Sequence, residues 1–173
     1  MQAEPVNPVL VFAWGNASRG DDGLGPALFD LLEALRLDGR LPGVDLLTDY
    51  QLQVEHALDL QGRDRVLFVD ASVSARAPYE LGPLLPERDV SYTTHAMSPG
   101  AVLAVYEQIN GQTPPPAYLL TIRGYEFDLG KALSPQARKN LQDGYTLVCE
   151  LLTDAPDSDW EQRLVPTVNS RQG

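Results

Sequence analysis

The sequence is poor in cysteine and in basic residues, and each shortage excludes a class of function. Its 173 residues include a single cysteine, which can form neither an internal disulfide nor a thiolate metal cage, so we expect a reducing compartment. The chain has 13 Lys and Arg residues against 24 Asp and Glu, a formal net charge of −11. Nucleic acids and anionic membranes attract basic surfaces, so neither is expected as a partner.

Long apolar runs are also missing. No stretch approaches the roughly 18–20 residues of a membrane span, and the opening MQAEPVNPV lacks the basic-then-apolar pattern of a signal peptide. A content of 43% hydrophobic and 21% charged residues is typical of soluble globular proteins. We therefore expect a cytoplasmic protein, and the length favours one domain with a substantial core.

Apolar strands alternate with amphipathic helices along the chain, which predicts an α/β fold. The expected architecture is a three-layer sandwich: a mostly parallel, twisted sheet with helices on both faces. We assign residues 1–152 to this domain and expect 153–173 to form a flexible tail. Strands are predicted at 8–14, 43–48, 66–69, 79–85, 89–92 and 118–122, and helices at 24–38, 52–59, 99–109 and 135–152.

Candidate functional residues follow the predicted strands. In parallel sheets ligand sites gather beyond the carboxyl ends of the strands. Asp21 and Asp22 follow the first strand, Asp70 ends the strand VLFV, and His95 precedes the helix that starts at Ser98. Carboxylates and an imidazole can ligate a divalent metal such as nickel, zinc or iron(II), or serve as a base and its orienting group in hydrolysis.

Each candidate also has a purely structural explanation. Asp21 and Asp22 lie where a helix begins, and aspartates there often cap the backbone and interact with the helix dipole. Asp70 could be a turn or capping residue, and His95 a hydrogen-bonded or surface histidine. His56, between Glu55 and Asp59 in sequence, is expected on a solvated or partner-facing side.

Motifs of other enzyme classes are missing. The sequence contains no G-x-S-x-G nucleophile elbow, no G-x-x-x-x-G-K-[ST] phosphate loop and no G-x-G-x-x-G pattern. Cys149 lies in the apolar stretch YTLVCELL, which indicates packing rather than nucleophilic chemistry. Ser98 precedes a proline and is expected to cap a helix.

Four stretches together resemble the nickel–iron hydrogenase maturation endopeptidases. VFAWGNASRGDDGLG resembles the opening of that family, and VLFVDAS, TTHAMSPGAVL and IRGYEFDLGKALSP follow in the family's order, so that the resemblance covers residues 8–152. YQLQVEHALDL further resembles the branch that serves soluble, NAD-reducing bidirectional hydrogenases. The chain departs from the pattern at Ala13, often glycine in the family, and at Asp22, glutamate in some relatives.

The resemblance implies a phosphorylase/hydrolase-like fold and a specific activity. Members of the family remove a C-terminal extension from the hydrogenase large subunit after nickel has been inserted. Carried onto this sequence, the catalytic and metal-recognising residues are Asp22, Asp70 and His95. The nickel belongs to the substrate, so we expect no tightly held cofactor. The implied partner is the nickel-loaded large-subunit precursor, and we expect a monomer.

Several alternatives stay open at this stage. A non-catalytic chaperone could use the same three residues to check the nickel without cutting the precursor. A peptidyl-tRNA hydrolase on a related fold would need a basic surface, which the composition disfavours. A nucleotide-binding module would depend only on the glycines of the first loop. Which carboxylate acts as the base is undecided, and backbone N–H groups of the glycine-rich loop are candidates for stabilising an oxyanion.

Overall fold

A five-stranded sheet forms the centre of the protein. The structure is a computed structural model that describes residues 5–88, 97–153 and 157–164. The strand order is β2-β1-β3-β5-β4; β4 pairs antiparallel with β5, and the other neighbouring pairs are parallel. The predicted mostly parallel sheet is therefore confirmed. The strands are β1 (Val9–Trp14), β2 (Val44–Asp49), β3 (Arg65–Ser72), β4 (Tyr79–Leu84) and β5 (Ala117–Arg123).

Helices cover both faces of the sheet. Alternate β1 residues enter two separate cores: Val11 and Ala13 pack with α1 and α3, whereas Phe12 and Trp14 pack with α2 and the 3-10 helix that precedes β3. Burial on both faces explains the unbroken apolar runs of β1 and β3. The helices are α1 (Leu24–Leu37), α2 (Pro99–Asn110), α3 (Pro135–Thr153) and α4 (Asp157–Gln162), with 3-10 helices at Gly20–Gly23 and Val54–Leu60.

Local signals placed the starts of two helices correctly. Ser98 Oγ accepts a hydrogen bond from the Ala101 N–H at 3.1 Å. Ser134 Oγ accepts one from the Ala137 N–H at 3.3 Å. Both serines therefore satisfy a first-turn donor, as expected for an N-cap followed by proline. The helix predicted at 52–59 is instead the 3-10 helix Val54–Leu60, and the strand predicted at 89–92 lies outside the described residues.

Part of the stretch predicted as a tail, residues 157–164, lies among the described residues. This stretch contains α4, and the Trp160 side chain is buried, with 1% of its surface exposed. Its indole Nε1–H donates to the Leu151 carbonyl at 2.9 Å, and its ring lies edge-on to Tyr118 at 5.3 Å. A single aromatic side chain thus attaches the segment to the core without any helical periodicity in the sequence.

The strand order reverses beside β1, which marks the place where α/β sheets usually form a ligand-binding crevice. Because β2 and β3 lie on opposite sides of β1, the chain leaves β1 toward one side and returns on the other, which is the topological switch point where α/β sheets bind ligands. Pairing of β1 with β3 stops at Ala13–Val69, whereas pairing of β3 with β5 continues to Ser72–Arg123. Asp70 therefore lies within β3, where β1 no longer pairs with it, rather than at the end of the strand. Across the described ranges, no helix combines the length and apolarity needed to cross a membrane.

Candidate active site

Asp22 lies in the 3-10 helix Gly20–Gly23, within the connection that joins β1 to α1. Its Oδ2 accepts a hydrogen bond from the Asn16 main-chain N–H at 2.8 Å. Gly15 makes this close approach possible: its φ is 149°, and a Cβ there would lie 2.0 Å from the Asp22 carbonyl oxygen. Neither Gly20–Gly23 nor α1 has a side-chain N-cap bond. Helix capping therefore does not explain Asp22, whose partly buried carboxylate keeps lone pairs for a ligand.

Asp70 has a strongly perturbed carboxyl group. Burial raises the pKa of Asp70 to about 7; the Ala71 N–H, 2.8 Å from Oδ1, partly opposes this, and the negative charge of Asp22 adds to the increase. Near neutral pH this group therefore exchanges a proton readily. A titratable group perturbed by desolvation and by a specific neighbouring charge, at a switch point, is typical of functional sites.

Two of the three predicted site residues, Asp22 and Asp70, interact electrostatically. The charge of Asp22 contributes to the pKa of Asp70, so the two carboxylates are electrostatic neighbours. His95 lies outside the described residues, and its place in the site stays a prediction. Within the part of the chain that the structure describes, no group of three or more His, Cys, Asp or Glu side chains is close enough to hold a metal ion.

Asp21, the neighbour of Asp22, has an entirely different environment. Its side chain is completely buried and accepts four hydrogen bonds: from the N–H groups of Tyr125 at 2.7 Å, Glu126 at 3.0 Å and Ser134 at 2.7 Å, and from the Ser134 hydroxyl at 2.8 Å. Burial alone would raise the pKa of Asp21, but these bonds outweigh it and lower the pKa below the ordinary value. We call these contacts the Asp21 clamp. Both oxygens of this carboxylate are bonded and the residue is completely buried, so Asp21 is not accessible to a substrate.

Main-chain bonds complete the attachment of the Asp22 loop to residues 124–134. The Gly20 N–H donates to Lys131 O at 3.0 Å, and the Asp21 N–H donates to Glu126 O at 2.7 Å. Gly20 has a φ of 56°, and a Cβ there would lie 2.3 Å from Glu126 O. The stretch GYEFDLGKALS thus supports the loop that carries Asp22, a role that sequence reasoning did not assign to it.

The prediction that His56 is solvated or partner-facing is wrong. Its side chain is 13% exposed, and its ring lies edge-on to Phe12 with centroids 4.6 Å apart. His56 Nδ1 accepts the Gln53 N–H at 2.8 Å, and Nε2 lies 3.2 Å from Asp49 Oδ2. The Asp49 carbonyl in turn accepts the Gly15 N–H at 3.1 Å. His56 therefore connects the end of β2 to the loop that carries Asp22.

The remaining nucleophile candidates have the structural roles that the sequence predicted. Cys149 is partly buried beside the α1–α3 core, and burial raises the pKa of its thiol above the ordinary value. A protonated thiol is a poor nucleophile. The Ser98 hydroxyl donates to Glu87 Oε2 at 2.9 Å in addition to capping α2.

Comparison with known proteins shows what this fold resembles. No protein-family model matches the sequence, and no curated protein matches it. The [NiFe] hydrogenase maturation protease HycI from Thermococcus kodakarensis KOD1 superposes with a TM-score of 0.65 at 19% identity, over 86% of this chain and 94% of that one. The hydrogenase maturating endopeptidase HybD from E. coli gives 0.61 at 21% identity, over 81% and 88%. A hydrogenase 2 maturation peptidase from a Thaumarchaeota archaeon gives 0.59 at 22% identity, over 83% and 97%.

These likenesses define the class of fold. The chain has the α/β fold of the solved hydrogenase maturation proteases, as its sequence motifs predicted. At this level of identity the comparison concerns architecture, and activity has to be argued from the site.

Proposed function

We propose that this protein is an endopeptidase that removes the C-terminal extension of a nickel–iron hydrogenase large subunit after nickel insertion. The observation that carries the proposal is the pair Asp22 and Asp70 at the β1–β3 switch point, with the pKa of Asp70 raised to about 7. The shared fold of the solved maturation proteases supports it. The stretch YQLQVEHALDL favours a soluble, NAD-reducing hydrogenase as the source of the substrate.

Nickel recognition follows from the chemistry of the donor set. Asp22 and Asp70 supply carboxylate oxygens, and His95 is the proposed imidazole ligand. Two acids and one imidazole are an incomplete shell, which suits an ion that the substrate already holds. Engagement of the ion would position the adjacent peptide for cleavage. Coordination requires the ionised carboxylate, so nickel would displace the proton that Asp70 carries near neutral pH.

Hydrolysis requires that water attack the scissile carbonyl while a base takes its proton. Both Asp22 and Asp70 border the crevice, and either could accept that proton when one of its oxygens is free of the metal. The pKa of Asp70 near 7 favours it as the base, because a group that titrates near the working pH can both take and return a proton. We further propose that the protein acts as a monomer in the cytoplasm.

A processing assay tests the proposal. Purified protein is mixed with nickel-loaded and nickel-free large-subunit precursor in parallel, and the products are weighed by mass spectrometry. We expect truncation of the loaded precursor only, and loss of truncation in Asp22→Ala, Asp70→Ala and His95→Ala. Equal cleavage of both precursors would contradict nickel recognition. Stable binding of the loaded precursor without truncation would instead favour the chaperone.

A further inference from the structure

Cleavage of a peptide bond needs a donor as well as a base. The carbonyl oxygen becomes negatively charged when water adds to it, and hydrogen-bond donors aimed at that oxygen are a major source of rate acceleration in acyl transfer. Asp22 and Asp70, when ionised, can only accept hydrogen bonds. This inference rests on the proposed function. The loop after β1 contains a candidate for the donor.

Main-chain donors of this loop are almost all used within the protein. The sequence makes the main-chain N–H groups of the glycine-rich loop candidates for stabilising an oxyanion. In the structure, most of these N–H groups already donate to acceptors within the protein. Among residues 15–22, Ala17 alone has no main-chain N–H bond to the described part of the chain. The others donate as follows: Gly15 to Asp49 O, Asn16 to Asp22 Oδ2, Ser18 to Asn16 Oδ1, Arg19 to Asn16 O, Gly20 to Lys131 O, Asp21 to Glu126 O and Asp22 to Arg19 O.

Besides the Ala17 N–H, the side-chain amide of Asn16 is a donor of this loop that makes no bond within the described residues. Its Oδ1 accepts the Ser18 N–H at 2.9 Å, and because an N–H group needs an acceptor, this bond fixes which side of the amide is oxygen. The Nδ2 group therefore has a set direction, and it has no acceptor among the residues that the structure describes. The Asn16 main-chain N–H donates to Asp22 Oδ2 at 2.8 Å, so the residue that carries this amide is a direct neighbour of Asp22.

We propose that Asn16 Nδ2 donates to the scissile carbonyl oxygen and stabilises the oxyanion formed during cleavage. In this step the water oxygen bonds to the carbonyl carbon, and the water proton passes to one of the two carboxylates. The C=O π electrons move onto the oxygen that faces Asn16. The carbonyl then re-forms, the C–N bond breaks, and the same proton is returned to the departing amine.

Two substitutions distinguish the donor role of the Asn16 amide from the role of its oxygen in the turn. Asn16→Asp keeps an oxygen that accepts the Ser18 N–H but loses the donor and adds a charge; Asn16→Ala loses the donor without adding charge. We expect both to lower the single-turnover cleavage rate of nickel-loaded precursor by about 10²–10³-fold, the usual cost of removing one oxyanion donor. Precursor affinity should be unchanged. The exposed Ser18 side chain provides a matched control, because Ser18→Ala leaves the turn and the Asn16 amide in place.

Each variant is judged by the ratio of its cleavage rate to that of the wild type. Circular dichroism and thermal melting check that the variants are folded. Wild-type rates in both Asn16 variants would overturn the inference. Slow cleavage by Asn16→Asp with normal cleavage by Asn16→Ala would also overturn it, because added charge would then be the cause. Cleavage by the wild type decides the proposed function, whereas the variant-to-wild-type ratio decides the role of Asn16, so that the two failures are distinguishable.

Discussion

Two aspartates at the same edge of the sheet show opposite responses to burial. Asp21 is completely buried and accepts four hydrogen bonds, and its pKa is below the ordinary value. Among the described residues, Asp70 accepts one hydrogen bond, from the Ala71 N–H at 2.8 Å, and its pKa is raised to about 7. The four hydrogen bonds that the fold provides stabilise the ionised form of Asp21, so this carboxylate has a structural role. With fewer donors among the described residues, the second carboxylate has a raised pKa instead.

The two residues therefore have opposite effects on folding. A lowered pKa means that the ionised form of Asp21 stabilises the fold; this stability is present above the unfolded pKa and is lost as the pH falls through the folded value. A raised pKa means that the folded state holds a proton on Asp70 that the unfolded state releases. Ionising Asp70 costs stability, which is typical of a residue retained for function.

Removing the charge of Asp21 should have a large effect on stability. In Asp21→Asn the new amide would direct its own N–H groups toward the donors of the Asp21 clamp. We expect the free energy of unfolding to fall by about 3–5 kcal/mol, as when one partner of a buried charged network is lost. Urea unfolding at pH 7 measures it. The exposed Asp30 in α1 provides the control, because Asp30→Asn removes a charge without a buried network; equal stability of the two variants would mean that the clamp contributes little.

Removing the charge of Asp70 should instead increase the free energy of unfolding at high pH. Between the ordinary aspartate pKa of 3.8 and about 7, the folded state binds more protons than the unfolded state, so stability falls as the pH rises through this window. The shift corresponds to at most about 4 kcal/mol above pH 7, and solvent exposure reduces this to about 2 kcal/mol. Asp70→Asn should therefore be more stable than the wild type at pH 8 and equally stable near pH 4. Lower stability of the variant at pH 8 would contradict this account.

His56 should have a smaller effect, because it supports the loop from the β2 side. His56→Ala removes the acceptor of the Gln53 N–H and the contact with Asp49. We expect a loss of about 1–2 kcal/mol, the usual range for a capping bond with some lost packing. Thermal melting measures it, with Gln51→Ala as the control for an exposed residue of the same segment. A melting temperature equal to that of the control would show that the His56–Asp49 contact is not stabilising.

The sequence predicted what depends on local patterns. Apolar runs marked β1 and β3, and the Ser-Pro pairs marked the starts of α2 and α3. Asp22 and Asp70 could be placed at one edge because the carboxyl ends of parallel strands share it. These predictions needed only neighbouring residues and one rule of topology.

What the sequence did not reveal depends on distant contacts. The partners of Asp21 lie 104–113 residues away, so nothing near Asp21 distinguishes it from Asp22. His56 is surrounded by polar neighbours in sequence, yet its environment is set by Phe12 and Asp49. Trp160 shows the same effect at the end of the chain, where one buried ring orders a segment without periodicity.

The cleavage rate of the Asp70→Asn variant tests the assignment of the site most directly. Asp59 supplies the matched control: burial also raises its pKa, but it lies on the 3-10 helix Val54–Leu60, and the carboxylate whose charge acts on Asp70 is Asp22. With nickel-loaded precursor in single-turnover conditions, we predict that Asp70→Asn loses at least about 10³-fold in rate, as expected when a group that touches the reacting atoms is neutralised. Asp59→Asn should match the wild type. Cleavage by Asp70→Asn at the wild-type rate would show that the crevice at the β1–β3 switch point is not the active site.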